Sequence, residues 1–144
     1  MTPSKTENSS VPRYMLLLFN CGEDIRSLLQ TGLSGDDFEI TLLDDDGKLL
    51  DLVCDERPDI LIMNIGSKMT YADVTLSALK KIHPGMKVII VSESPSDMDA
   101  RLVEMGVFYY LSGQVNHEII QVVRAAARAL ESSRTKRKGV EGDR

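Results

Sequence analysis

Apolar residues in this chain fall into two alternating kinds of block. Short, mainly apolar stretches occupy residues 14–19 (unbroken), 38–43, 59–65, 87–91 and 107–111. Between them the apolar residues recur at three- and four-residue spacing. The runs predict strands, several of them covered on both faces because they do not alternate with polar residues. The spaced segments predict helices over 23–30 (Ile25, Leu28, Leu29), 47–56 (Leu49, Leu50, Leu52, Val53), 73–82, 97–105 and from 116 to about 131. Gly32 or Gly35 ends the first helix. Val74, Leu76 and Leu79 are the expected inward residues of the third helix, and Ile119, Ile120, Val123 and Leu130 those of the last.

Five strands alternating with five helices imply an α/β fold. Short connections give a parallel sheet with right-handed crossovers. The doubly wound order 2-1-3-4-5, the flavodoxin-like solution, is expected. Its ligand crevice lies at the carboxyl ends of strands 1 and 3, where the winding reverses. The residues to inspect are therefore Asn20 and Cys21 after strand 1, Asn64 after strand 3, Ser92 after strand 4, and the stretch 111–114 after strand 5.

The chain has 144 residues, about one domain. Residues 1–12 are polar and read as a flexible leader, residues 13–131 as the domain, and residues 132–144 as a flexible basic tail. The tail cluster Arg134, Lys136, Arg137 and Lys138 suits a solvated end, or an anionic partner as the alternative. A composition of 42% hydrophobic and 27% charged residues is that of a globular protein. The net charge of −5 argues against nonspecific nucleic-acid binding. Cys21 and Cys54 form no CxxC, and with two histidines no zinc site is expected. No apolar run nears membrane-spanning length, and residues 15–19 are too few for a signal peptide. A cytoplasmic protein with reduced thiols is the reading.

Four stretches, in order, carry a family resemblance: MLLLFNCGEDIRSLL, FEITLLDDDGKLLDLVCDERPDILIMNI, HPGMKVIIVSES and GVFYYL. Over about residues 14–131 the chain resembles the receiver domain of two-component response regulators. That resemblance implies phosphoryl transfer from a histidine kinase to an aspartate ending strand 3. It also implies two acids after strand 1 holding Mg²⁺, a lysine after strand 5, a hydroxyl after strand 4 and an aromatic on strand 5. Matched residue by residue, the phosphoacceptor position is Asn64, whose amide cannot form an acyl phosphate. The acid pair falls on Asn20 and Cys21, and the lysine on Gly113, followed by Gln114. Ser92 and Tyr110 match the hydroxyl and the aromatic. Three acids crowded together need a cation to offset their repulsion; here the acids and the lysine are absent together. The resemblance is therefore to a pseudo-receiver, with Mg²⁺ binding lost and no catalytic residues.

Other readings attach to single residues. Asn20 and Glu23 have capping-box spacing, which predicts Asn20 as the cap of the first helix. Glu23 and Asp24 fall in that helix's first turn. Asp44 to Asp46 read as a solvated turn before Gly47. From Asp36 to Asp59 there are ten acids against Lys48 and Arg57, so one side of the domain is expected to be acidic. Cys21 reads as a structural thiol, since neither His83 nor His117 is expected beside it.

The expectation is a bacterial signalling module that binds a protein, a histidine kinase or another signalling protein. The resemblance points to helix 4, strand 5 and helix 5 as the docking or homodimer face, with Arg101, Tyr109, Tyr110, Gln121 and Arg124 as contacts. The alternatives are a phosphorelay receiver using a displaced acid, Asp24 or Asp46, and a small-molecule binder at the switch-point crevice.

Overall fold

A computed structural model describes residues 14–34, 37–66, 71–92 and 97–142; for 46, 97–99 and 134–142 it describes the backbone only. The expected leader, 1–12, lies outside the described residues. Five strands form one parallel sheet: β1 (Tyr14–Phe19), β2 (Phe38–Leu43), β3 (Ile60–Asn64), β4 (Lys87–Ser92) and β5 (Tyr109–Ser112). Their order is β2-β1-β3-β4-β5, as the alternation of elements predicts. The helices are α1 (Glu23–Gly32), α2 (Leu49–Glu56), α3 (Ala72–Ile82), α4 (Asp97–Glu104) and α5 (Glu118–Gly142).

Side chains of successive strand residues point to opposite faces, so each central strand feeds two cores. Leu16, Leu18, Ile60, Ile62, Ile89 and Val91 pack with α1 and α5. Leu17, Phe19, Leu61, Met63, Val88 and Ile90 pack with α2, α3 and α4. Burial on both faces is why these strands are almost uniformly apolar. The edges β2 and β5 are only partly covered.

Some expectations need correction. Asn20 does not cap α1. The N-cap is Gly22, without a side-chain hydrogen bond, and Asn20 takes a left-handed backbone (φ 59°) two residues earlier. Asparagine is among the few residues that adopt this region readily, so here it turns the chain rather than capping it. Val74 is not inward but 62% exposed. It lies about 200° around the helix from Leu76, on the opposite side. A short 3-10 turn, Asp46–Lys48, precedes α2. The strand expected at 107–111 begins at Tyr109. α5 does not stop near Glu131 but continues to Gly142; no proline or glycine interrupts it before Gly139. Among the described residues no helix is long and apolar enough to cross a membrane.

Candidate functional site

Parallel pairing brings the carboxyl ends of β1, β3, β4 and β5 to one edge. Phe19 pairs with Met63, Asn64 with Val91, and Ser92 with Ser112. The sequence-predicted pocket residues follow these ends, and the structure brings them to the same edge of the sheet.

Asn20 is exposed, and its backbone N–H donates to Leu43 O at 3.0 Å, closing β1 against β2. Cys21 turns inward and is buried. Its Sγ lies 3.6 Å from both Phe19 O and Ile62 O, so the thiol donates to backbone that belongs to β1 and β3. Burial, helped by the negative charge of Asp44, pushes this thiol up to about 12. It stays protonated near neutrality, so it is not primed as a thiolate nucleophile.

Asn64 ends β3, half-buried, and the next residue continues the ladder through Ile65 N–H to Val91 O at 2.9 Å. Ser92 is 1% exposed, and its hydroxyl has no hydrogen-bond partner among the described residues. Leaving such a group unpaired costs about 1–3 kcal/mol. Its carbonyl accepts from Gly113 N–H at 2.9 Å. Gly113 has φ +87°, and among the described residues nothing lies within 4 Å of where a Cβ would stand. The space is open, but the backbone is one that a lysine adopts only under strain.

The acids near these strand ends have settings of their own. Glu23 is paired with Arg26 one turn along α1. Asp24 lines a depression of about 390 Å³ with Ile25, Leu28, Gln114 and Val115, between α1 and the loop after β5. Among the described residues no three histidine, cysteine, aspartate or glutamate side chains gather to hold a metal. Sequence reasoning missed that Asp44 stands close enough to bear on Cys21; the signal was its place directly after β2, the neighbour of β1.

The five expected surface contacts do not share one face. Tyr109 is 40% exposed, and its hydroxyl donates to Glu118 Oε2 at 2.8 Å, joining β5 to α5. That bond and the carboxylate charge raise the phenol above its ordinary value. Gln121 is exposed on α5. Tyr110 points the other way, half-buried against the α2–α4 core. Arg101 bridges from α4 to Asp73 of α3, 2.7 Å away, and holds that carboxyl below the usual carboxylate range. Arg124 is placed on the α1 side instead, donating to Gly32 O at 2.8 Å.

No protein-family model matches the sequence, and no curated protein matches it. Solved structures do match. The signal receiver domain of a LuxO repressor protein from Vibrio parahaemolyticus superposes with a TM-score of 0.69 at 15% identity, covering 86% of this chain and 95% of that one. HP1043, an orphan response regulator of H. pylori, gives 0.66 at 16% identity, covering 80% and 97%. The pilus assembly protein CpaE from Caulobacter crescentus gives 0.58 at 17% identity, covering 78% and 98%. This chain has the receiver fold.

Proposed function

We propose that the chain is a pseudo-receiver: a protein-interaction module of bacterial signal transduction that keeps the receiver fold and has no aspartyl phosphorylation. One observation carries this reading. The carboxyl edge of the sheet presents Asn64, Asn20, the buried thiol of Cys21 and the left-handed Gly113 where a working receiver needs three acids and a lysine. Phosphoryl transfer requires an anionic oxygen as nucleophile, and a hard divalent cation requires anionic oxygen ligands. Amides and a protonated thiol supply neither. The module works without Mg²⁺, is not an enzyme and acts in the cytoplasm. Its output is set by how much partner is present rather than by a phosphorylation cycle. Tyr109 and Gln121, exposed on β5 and α5, are its candidate contacts to a histidine kinase or another signalling protein, or to a second copy.

The test is thermal unfolding with millimolar Mg²⁺ and beryllofluoride, a phosphoryl mimic for receiver aspartates. A ligand bound at about 100 times its dissociation constant adds roughly 2.7 kcal/mol, several degrees for a domain of this size. No shift is expected. A shift that needs both additives together overturns the proposal and marks a working receiver.

A further inference from the structure

The edge strand β2 leaves a groove on the sheet face that α2 covers. Its volume is about 500 Å³, and its lining is Met15, Glu39, Thr41, Leu43, Lys48, Asp51, Leu52, Asp55 and Glu56. Met15, Leu43 and Leu52 give it an apolar floor, each partly buried. Glu39, Asp51, Asp55 and Glu56 are exposed around them, four carboxylates against the single ammonium of Lys48. Among the described residues none of these five side chains takes an ion pair or a hydrogen bond of its own.

An apolar floor with an anionic rim fits one kind of side chain best. Lysine and arginine lay an aliphatic stem along apolar surface and keep a cationic head at its margin. The chain itself carries such a segment. Arg134, Lys136, Arg137 and Lys138 fall on the last turns of α5, and positions 134, 137 and 138 share one helical face by their spacing. The Tyr14 hydroxyl donates to Glu131 at 2.6 Å, which places residue 131 beside the first residue of β1, at the amino edge of the sheet. Beyond that point α5 runs on for about 16 Å, at about 1.5 Å per residue. This stretch follows the point where α5 meets the amino edge of the sheet. It starts from the face opposite the groove, since α5 packs in one core and α2 in the other.

We infer that the β2–α2 groove is a docking site for the basic end of α5 from a second copy of this chain. The contact is heterologous, tail into groove, and independent of the phosphorylation pocket. It is held by charges at the surface, so salt weakens it.

Sedimentation velocity of the full chain tests this in about 50 mM and about 500 mM NaCl, conditions that span strong and weak screening. Two charge-reversed chains accompany it: Asp51→Lys with Asp55→Lys in the groove, and Arg134→Glu with Arg137→Glu in the tail. The unaltered chain is expected to associate at low salt, with the affinity falling about tenfold or more at high salt. Each reversed chain alone is expected to be monomeric. An equimolar mixture of the two is expected to associate again, because a positive groove then meets a negative tail. Circular dichroism confirms that both reversed chains are folded. An unaltered chain that stays monomeric at low salt overturns the inference. So does a reversed chain that still associates, or a folded pair that fails to associate when mixed. A monomeric chain that binds polylysine through the groove assigns it to another basic partner and equally overturns self-docking.

Discussion

The Cδ1 and Cγ1 atoms of Ile120 stand where a Cβ on Gly32 would have to go. α1 and α5 approach closely because the last residue of α1 has no side chain. Arg124, one turn after Ile120, uses the same approach to donate to the Gly32 carbonyl.

Helix propensity alone favours alanine over glycine at position 32 by up to about 1 kcal/mol. The packing reverses that sign. Gly32→Ala is expected to lose about 1–3 kcal/mol in urea unfolding, the usual cost of overpacking. Combining it with Ile120→Val, which removes Cδ1, is expected to cost less than the sum of the two single changes. Strict additivity would place the strain elsewhere.

The bond between Tyr14 and Glu131 links the first strand to the last helix. It is partly buried and ends on a carboxylate. Tyr14→Phe is expected to lower stability by about 1–2 kcal/mol. Amide exchange around residues 128–131 is expected to speed up more than exchange in α3. Equal acceleration in both helices would mean that the bond does not locally anchor α5.

Cys54 is exposed and Cys21 buried. A chromogenic disulfide reagent is expected to label one thiol quickly in the native protein and the second only on unfolding, with the fast phase gone in Cys54→Ser. The pH dependence has a definite sign. The folded-state value of Cys21 is raised, so its contribution is full below the unfolded value near 9 and is lost as pH rises toward about 12. Stability is expected to fall with pH across that interval, and more gently in Cys21→Ala.

Tyr109 is expected to titrate above free tyrosine by NMR, and Glu118→Gln to bring it down, because the carboxylate is the cause of the shift. The raised phenol stabilises the fold at lower pH and stops doing so as pH climbs through its folded value. Asp73 has the opposite sign. Its depressed carboxyl contributes above the unfolded value and stops as pH falls through the folded one. Arg101→Ala is expected to return Asp73 to the ordinary carboxylate range. A Tyr109 value unchanged by Glu118→Gln would assign its shift to something other than that bond.

The sheet was legible in the sequence because β1, β3 and β4 are buried on both faces, so their apolar runs are uninterrupted and their order follows from the alternation with helices. The ends of β3 and β4 were legible too, at Asn64 and Ser92. Three details were not. Asn20 and Glu23 have the spacing of a cap, but the same asparagine suits a left-handed turn, and spacing cannot separate the two. Arg124 looked like a surface residue beside Gln121. Yet it lies one turn from Ile120 and next to Val123, on the margin of the buried stripe, and there a long side chain reaches the neighbouring helix. The groove beside β2 depends on how far α2 covers an edge strand, a distance that no periodicity encodes.

The overhang of α5 also changes how this molecule moves through solution. A rod attached to a compact body drags on its surroundings more than a sphere of equal mass and tumbles at different rates about its long and short axes. Elution from a sizing column would therefore overstate the mass of a monomer, and relaxation rates would vary with the direction of each N–H bond. The mass of any assembly has to come from sedimentation or light scattering, which do not assume a sphere.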